Sequence, residues 1–580
     1  MKKKRRRQKK QKRFNFKVFF IILIVIAVAV AAALLVPKFL KGRENVKYLA
    51  GKSAEAELYF YDDYEKRLFK NNEHISRGTE VVDTGEEYTE NGRTYRVIKI
   101  GDRQYFANVK TLVDSKDDII QETEKYVRTS VTVYENSEDS TIASFVKKGG
   151  HLNIEGYDEM LSDGSINMYQ VSTDEGTKGW VYGKYLVDTV EEAKAVWNET
   201  GVYDTHKDRV YSGRELYGGD PKNLDWYPVE KPEFEDNPLC KEASAMYISG
   251  KVLENIDEYI KIAKANNVNC IVLDVKDGSL TTTFETAEKM APTANKWPLT
   301  GEATFANAVE KIHEAGIYLV GRIVVFKDEL FGVDHPEACI ESESASQLWP
   351  SGFSRIVWEY NVKLAEEVID KYGVNEIQFD YCRFPEEAYN MSANGNTDFK
   401  NLYDEGKSEA IQNFVFYAAD CMHRKGVYLS VDVFGECAGK YVTAYGQYWP
   451  AISNVADVIS GMPYTDHFDR STDVWTDPYP TIYEWAQKAA ARQNEIDTPA
   501  VVRTWITAYN VPFWAPTKTC DVQYISDQVN ALMDAGLMGG FMTWNGGSVL
   551  SKYQEIAPAW AIDYWASHRQ VNSEAAGSGS

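Results

Sequence analysis

The sequence lacks the cysteine and histidine motifs that small metal-binding and disulfide-rich proteins depend on. Its seven cysteines are scattered over 580 residues, with no Cys-x-x-Cys pair and no Cys/His cluster at zinc spacing. Several of them, such as Cys270, lie inside apolar strand-like runs, which is typical of buried small hydrophobic residues. A disulfide framework is therefore not expected, one isolated bridge stays open, and the thiols do not indicate a cellular compartment.

Acidic residues are missing from the N-terminus, and basic residues are scarce in the rest of the chain. Residues 1–43 hold 14 lysines and arginines and no acid. Residues 44–580 hold 86 acids against 50 bases, a net charge of −36. Because this part of the chain is strongly acidic, it repels the phosphates of nucleic acid, and we expect no nucleic-acid partner.

A long apolar run follows the basic N-terminus. Val18 to Val36 spans 19 residues without a charge, close to the roughly 20 that cross a bilayer. We predict a basic cytoplasmic tail over 1–17 and a transmembrane helix over 18–40, with the bulk of the chain extracellular. A cleaved signal peptide is the alternative, but its apolar core is shorter, about 7–15 residues. The basic tail can also contact anionic lipid.

Two segments after the apolar run share one pattern of short alternating strands. The first segment, residues 45–117, contains the turn Asn91-Gly, and the second, residues 124–190, contains the turn Asp163-Gly. Each segment has the motif Leu-Val-Asp within a few residues of its end. Alternating strands joined by such turns predict two small β-barrels.

The second of these segments resembles the bacterial SH3-like domain. The resemblance lies in an opening strand, Val131-Thr-Val-Tyr-Glu-Asn, and a closing strand, Gly179-Trp-Val-Tyr-Gly-Lys-Tyr-Leu. The first segment matches weakly and lacks the closing tryptophan. The resemblance implies binding to cell-wall glycopeptide, whereas the alternative is that both modules are spacers or lids.

From residue 243 the pattern changes to strands alternating with helices. A segment rich in proline, glycine and charge over 191–242 reads as a linker. Eight apolar strand-like runs follow within 243–566, beginning at Ala245, Asn269, Ile317, Glu376, Val427, Asp457, Val501 and Gly540. Eight such units predict a (β/α)8 TIM barrel. An open doubly wound sheet is disfavoured because no glycine-rich phosphate loop follows the first strand. Residues 567–580 are expected to be a flexible tail.

The carboxyl ends of these strands are where a barrel carries its functional residues. The fourth strand, Glu376-Ile-Gln-Phe-Asp-Tyr-Cys-Arg-Phe-Pro, stops at its proline and leaves Asp380 and Arg383 at the strand end. This pair is either a structural ion pair or part of a catalytic site. The other strand ends supply Asp274, Lys276, Arg322, Asp328, Tyr381, Asp432, Glu436, Tyr464, His467, Arg503, Trp505, Trp544 and Asn545.

Carboxylates above an aromatic floor are what glycoside hydrolysis needs. We predict Asp380 as the nucleophile or charge stabiliser and Asp432 as the acid/base, with Glu436 as the alternative acid. Arg322, Arg383 and Tyr464 are predicted to orient Asp380 and the substrate, and the remaining strand-end residues to bind the substrate.

Other chemistries fit the sequence less well. No Gly-x-Ser-x-Gly motif supports a serine nucleophile. A metal site would have to combine Asp274, Asp277 and Asp328 with His467, a spacing that is not specific. We therefore expect neither a metal nor another cofactor.

Five motifs in this region, taken in order, resemble the glycoside-hydrolase-type domain of bacterial surface proteins known as DUF4015. They are Val272-Leu-Asp-Val-Lys-Asp, Gly321-Arg-Ile-Val-Val-Phe-Lys-Asp, Trp358-Glu-Tyr-Asn, the fourth strand, and Val431-Asp-Val-Phe-Gly. The resemblance covers about residues 243–550 and implies a TIM barrel related to the α-amylase-like hydrolases. One departure follows the seventh strand, where Ala508 stands at a position at which the family commonly has an acid.

Together these observations predict a membrane-anchored extracellular glycosidase acting on a cell-wall or surface polysaccharide, such as a peptidoglycan-type glycan. The alternative is a barrel without catalysis that binds carbohydrate at the cell surface. The absent acid at Ala508 favours this alternative.

Overall fold

The computed structural model describes residues 45–209, 217–469, 473–510 and 519–566. No helix within these ranges is both long and apolar enough to cross a bilayer. The predicted basic tail, transmembrane helix over 18–40 and C-terminal tail all lie outside the described residues. All seven cysteines lie inside them, and each is a free thiol.

The N-terminal part is all-β, as predicted. The first sheet has seven strands in the order β3-β2-β6-β5-β4-β1-β7, with bounds β1 Val46–Leu49, β2 Leu58–Asp62, β3 Arg67–Lys70, β4 Glu80–Glu90, β5 Arg93–Ile100, β6 Arg103–Asn108 and β7 Leu112–Val113. Strands β4 and β5 meet at Asn91 and Gly92, both at positive φ, which is the backbone of a tight hairpin turn. Leu49, Leu58 and Ile98 are at the centre of its hydrophobic core.

A second seven-stranded sheet follows in the order β10-β9-β13-β12-β11-β8-β14. Its strands are β8 Glu124–Val127, β9 Val131–Tyr134, β10 Ile142–Val146, β11 His151–Tyr157, β12 Met168–Thr173, β13 Lys178–Tyr182 and β14 Leu186–Val187. The chain divides into two compact units, and this sheet contributes to both: Asn153–Gln170 groups with the first module, and Lys125–Leu152 and Val171–Val181 group with the C-terminal domain.

The C-terminal domain alternates strands with helices. Its strands are β15 Ala243–Ile248, β16 Cys270–Asp277, β17 Leu280–Thr281, β18 Tyr318–Val324, β19 Glu376–Asp380, β20 Tyr428–Phe434, β21 Val458–Met462, β22 Val501–Val502, β23 Thr504–Thr507 and β24 Gly540–Trp544. The helices are numbered from the two short ones that precede β15. They are α1 Val190–Lys194, α2 Val202–His206, α3 Ile256–Ala265, α4 Glu285–Met290, α5 Pro292–Asn295, α6 Glu302–Glu314, α7 Glu329–Asp334, α8 Arg355–Tyr372, α9 Ala388–Asn394, α10 Lys407–Arg424, α11 Trp449–Ser453, α12 Tyr479–Gln493, α13 Val522–Asp534 and α14 Leu550–Trp560.

The parallel strands of this domain close into a ring. The order is β22-β21-β20-β19-β18-β16-β15-β24-β23, with β17 as a short antiparallel addition to β16. Strands β22 and β23 are two parts of one strand interrupted at Arg503, so β22 pairs with β21 while β23 pairs with β24. The ring therefore has eight strands, each predicted strand is present, and the fold is a TIM-like barrel.

The barrel interior is filled by side chains from alternate positions of the strands. Ala245 and Tyr247 of β15, Val272 of β16, Trp505 of β23 and Met542 of β24 belong to one buried cluster. The carboxyl ends of the strands are called the mouth below.

The described part of the predicted linker over 191–242 packs against the barrel domain. Val202, Leu224 and Trp226 form one buried cluster with Tyr448 and its neighbours. Trp226 is almost fully buried and stacks on His206, so this segment is part of the folded domain.

Candidate active site

Arg322 lies between two carboxylates at the mouth. It sits on β18, next in register to Asp274 on β16. Its Nη1 donates to Asp274 Oδ1 at 2.7 Å, and its Nη2 donates to Asp380 Oδ2 at 2.6 Å. The residue is only 2 % exposed. Because two charge-assisted bonds to one buried guanidinium leave little freedom, Arg322 fixes both carboxylates in place.

Asp380 is the last residue of β19 and is held from two sides. Besides the bond from Arg322, its Oδ1 accepts a hydrogen bond of 2.6 Å from the backbone N–H of Tyr381. Tyr381 has φ of +52°, a left-handed conformation that is unfavourable for a residue with a side chain. The N–H that follows Asp380 in the chain thus bonds back to its carboxylate, and the residue with the unfavourable backbone lies directly after it.

Asp432 lies on the neighbouring strand β20. Phe379 and Val431 are paired in register, so the residues that follow them, Asp380 and Asp432, are neighbours on strands about 4.8 Å apart. Asp432 is fully buried and its Oδ1 accepts a hydrogen bond of 2.9 Å from Trp505 Nε1. Its Oδ2 has no hydrogen-bond partner within the described part of the chain.

The two neighbouring carboxyl groups have different environments. Burial raises the pKa of Asp432 well above its ordinary value, the charge of Asp380 raises it further, and Arg322 opposes both effects. Asp432 therefore favours its protonated form beside a carboxylate that is paired with Arg322. Two carboxyl groups whose environments push their proton affinities apart can divide into an acid and an anion.

Asp274 is fully enclosed behind Arg322. Its Oδ2 accepts a hydrogen bond of 2.5 Å from the Tyr247 hydroxyl. Burial raises the pKa of Asp274 to about 6, while the charge of Arg322 acts in the opposite direction. Asp274 was predicted to bind substrate, but in the structure its oxygens are engaged by Arg322 and Tyr247, so it positions the guanidinium.

Aromatic side chains form one wall of the mouth. Trp544 lies 4.5 Å from Tyr247, 5.5 Å from Trp505 and 6.2 Å from Tyr464, measured between ring centroids. Trp544 is partly exposed, so part of its ring can contact a sugar. Tyr247 was not predicted as a site residue, although strand alternation from Ala245 would have placed it on the interior face.

Glu436 lies in a different setting from Asp432. It is an exposed residue in a short 3₁₀ turn just beyond β20. Its Oε1 accepts a hydrogen bond from the Tyr445 hydroxyl. Glu436 is therefore accessible from solvent, whereas Asp432 is not.

The predicted pair of Asp380 with Arg383 is not formed. Arg383 Nη2 donates to Glu386 at 3.1 Å and its Nη1 donates to the Phe384 carbonyl oxygen at 2.9 Å. Its guanidinium also lies 4.3 Å from the centre of the Phe434 ring. The cation that pairs with Asp380 is Arg322.

Arg503 is wrong as a substrate-binding residue, because it lies at the opposite end of the barrel. Its Nη1 donates to Glu376 Oε1 at 2.8 Å. Glu376 is the first residue of β19 and Asp380 is the last, which separates them by about 13 Å along the strand. Arg503 lies between β22 and β23 and bonds to the first residue of β19, so its side chain extends toward the amino ends of the strands.

Lys276 and Asp328 form a closed ion pair away from the mouth. Lys276 Nζ donates to Asp328 Oδ2 at 2.6 Å, and both side chains are at most 1 % exposed. The register shifts between Asp274 and Lys276, and the ammonium group lies 5.2 Å from the ring of Tyr360 on α8. This irregularity directs Lys276 to the helix layer, which corrects the prediction that both residues bind substrate.

The remaining predicted residues lie at the rim or in supporting positions. Tyr381 has Lys327 Nζ and the Arg383 guanidinium each 4.9 Å from its ring centre. His467 is exposed, with its ring 5.4 Å from that of Tyr464. Asn545 is buried and its Nδ2 donates to the Ala508 carbonyl oxygen at 3.0 Å, so it joins two strand ends.

Within the described ranges, no group of three or more His, Cys, Asp or Glu residues is placed to hold a metal ion.

Residues 245–549 match the family model DUF4015, described as "Putative glycosyl hydrolase domain". No curated protein matches the sequence.

Several solved structures are similar to parts of the chain. The glycoside hydrolase domain of PgaB (BpsB) from Bordetella bronchiseptica is 13% identical, covering 55% of this chain and 99% of that one, with a TM-score of 0.40. The C-terminal domain of a protein titled a putative chitinase from Desulfitobacterium hafniense DCB-2 is 12% identical, covering 55% and 99%, with a TM-score of 0.38. A hypothetical protein from Ruminiclostridium thermocellum ATCC 27405 is 24% identical, covering 32% and 97%, with a TM-score of 0.27.

Proposed function

Because this chain belongs to the DUF4015 family, whose defining domain is described as a "Putative glycosyl hydrolase domain", we propose that it hydrolyses glycosidic bonds at the mouth of its barrel. One observation carries this proposal. Asp380, paired with Arg322, stands beside Asp432, whose environment favours a proton. Glycoside hydrolysis needs such an anion and such an acid on either side of the bond that is cleaved.

The contacts support the following division of roles. Asp432 gives its proton to the glycosidic oxygen, so the leaving sugar departs as an alcohol. The Asp380 carboxylate bonds to the anomeric carbon or stabilises the positive charge that develops there, and water then completes hydrolysis. Arg322 and the Tyr381 N–H hold Asp380 in place. Trp544 offers an aromatic face to the sugar.

A non-catalytic glycan-binding barrel is the second candidate function. It is favoured by the complete burial of Asp432 and by Ala508, itself buried, at the end of the seventh strand. The two functions differ in product release. Incubation with purified wall polysaccharides should generate new reducing ends if the barrel is a glycosidase, whereas retention of glycan without new reducing ends would support the binding function.

The identity of the general acid can be tested by comparing Asp432→Asn with Glu436→Gln. If Asp432 is the acid, Asp432→Asn should reduce kcat by about 10²–10⁴-fold, the usual contribution of a general acid. In the native chain, activity should be present at low pH and be lost as pH rises through the raised pKa of Asp432. The Asp432→Asn variant should lose this alkaline limb of the pH–rate profile.

Glu436→Gln is the matched control, because it removes an exposed carboxylate close to the same strand. We expect it to keep the alkaline limb and most of the activity. A loss confined to Glu436→Gln would transfer the acid role to Glu436.

We also propose that the substrate is a cell-wall or surface polysaccharide and that the chain is a single-pass membrane protein with the barrel outside. Support comes from the basic run and the uncharged stretch Val18 to Val36. The full-length chain should sediment with membranes after alkaline carbonate washing, and deletion of residues 1–43 should release it. Full-length protein found in the wash would contradict the anchor.

A further inference from the structure

A cleft distinct from the mouth opens beside the segment that follows β19. Its volume is about 530 Å3, within the range of small-molecule sites. It is lined by residues that belong to one compact unit, including Tyr217, Phe353, Ser392, Phe399, Asn401 and Lys407. None of the carboxylates or aromatic residues of the mouth lines it.

Lys407 places a buried positive charge in this cleft. The residue is 7 % exposed. Its Nζ donates to the Tyr217 carbonyl oxygen and to Ser392 Oγ, both at 2.9 Å. An ammonium group has three donors, and both of these acceptors are neutral. No carboxylate in the described part of the chain lies within ion-pair distance of it.

This lack of a counter-charge sets Lys407 apart from three other buried cations of the domain. Arg322, Lys276 and Arg503 each have a carboxylate partner. The acids that line the cleft are already matched, since Glu405 binds Arg355 at 2.8 Å and Asp398 binds Lys400 at 2.8 Å. A buried charge without a partner is unfavourable, so a ligand with a negative charge would stabilise it.

The position of Lys407 in its helix adds to this imbalance. It is the first residue of α10, an 18-residue helix. Helix N-termini carry partial positive charge and favour anions, so a lysine there concentrates positive potential. Burial lowers the pKa of Lys407 to about 8, which keeps the ammonium form populated at neutral pH.

The other lining residues indicate the kind of anion. Phe399 lies 4.5 Å from the Lys407 ammonium, and both Phe399 and Tyr217 are partly exposed. Aromatic faces suit the C–H surfaces of a sugar ring, and the cleft is far larger than a single ion needs. We propose that this cleft is a second glycan-binding site that takes an acidic sugar, with the carboxylate on Lys407 and the ring against Phe399 and Tyr217.

Binding can be measured on the intact chain carrying Asp380→Asn, so that hydrolysis at the mouth does not consume the probe. The probes are cellobiouronic acid and cellobiose, which differ by one carboxylate in place of one hydroxymethyl group. Calorimetry should show the acid binding at least tenfold more tightly at pH 7. This preference should fade as pH rises through about 8, because Lys407 then loses its charge.

Lys407→Met should abolish the preference, and Lys407→Arg should keep most of it. Lys425→Met is the matched control, since Lys425 lies at the other end of α10 and pairs with Asp370 on the surface. Thermal unfolding should show Lys407→Met to be at least as stable as its parent, because it removes an uncompensated buried charge.

Equal binding of the two probes, or an unchanged preference in Lys407→Met, would overturn the proposal. Binding of acetate as tight as that of the acidic sugar would reduce the cleft to a simple anion site and would overturn it as well. Because the parent is already inactive at Asp380, none of these outcomes depends on glycosidase activity.

Discussion

Asp380→Asn is expected to reduce the release of reducing ends from a wall polysaccharide by about a thousandfold or more, the order seen when a covalent or charge-bearing catalytic group is removed. The asparagine oxygen can still accept the hydrogen bond from Arg322, while its amide nitrogen replaces the oxygen that accepted from the Tyr381 N–H. One of the two bonds is therefore lost, and the rest of the mouth should persist. What disappears is the negative charge that the proposed mechanism places at the anomeric carbon. Initial rates with a polysaccharide substrate, measured as new reducing ends, give the ratio.

Asp277→Asn provides the matched control for this experiment. Asp277 also lies near Arg322, at 3.5 Å, but about a third of its side chain is exposed to solvent. We expect Asp277→Asn to change the rate by less than about tenfold, because its charge is partly screened by water. Native-like circular dichroism and an unchanged unfolding midpoint would show that Asp380→Asn is folded. An Asp380→Asn variant that keeps full activity would rule out Asp380 as the catalytic anion.

Arg503→Met should produce the largest loss of stability of any single change considered for this chain. Arg503 and Glu376 form an ion pair at 2.8 Å in which both side chains are fully buried. Removal of the arginine leaves the Glu376 carboxylate buried without its partner, which costs roughly 3–5 kcal/mol in comparable cases. The free energy of unfolding, obtained from urea denaturation of the barrel, should fall by about that amount.

The double variant Arg503→Met with Glu376→Leu separates the charge effect from packing. Since it removes both charges and fills similar volume, it should recover most of the lost stability. Activity per folded molecule should be nearly unchanged, because this pair lies at the end of the barrel opposite the mouth. If the double variant were as unstable as Arg503→Met alone, the loss would come from packing rather than from the unpaired carboxylate.

Much of the barrel could be predicted because its strands are apolar on both faces and its helices are amphipathic. These local patterns locate each strand to within a few residues, as for Gly540–Trp544. The inward positions of Asp380, Asp432, Trp505 and Trp544 could be predicted because alternation along a strand determines which side chains face inward. The same rule, applied to β15, would also have found Tyr247.

The positions of other site residues could not be predicted from the inward and outward alternation of side chains along a strand. Lys276 leaves the mouth because the pairing of β16 with β18 shifts by one residue after Asp274. Arg383 turns away from Asp380 because Tyr381 adopts a left-handed backbone between them. Arg503 appears in a strand-like run, but its position at the start of β23 depends on where that strand is interrupted. Each of these outcomes follows from tertiary pairing, which a single sequence does not display.

The closure of the ring has a consequence for how the domain folds. The first strand, β15, pairs with the last strand, β24, and Thr543 bonds to the Ala245 carbonyl oxygen across 298 residues. Contacts so distant in sequence form slowly, since closing such a long loop costs conformational entropy before the contact can stabilise it. A nascent chain therefore cannot complete the wall that joins Tyr247 to Trp544 until β24 has been synthesised. Until that moment both edges of the unclosed parallel sheet are unpaired, and unpaired edges favour aggregation.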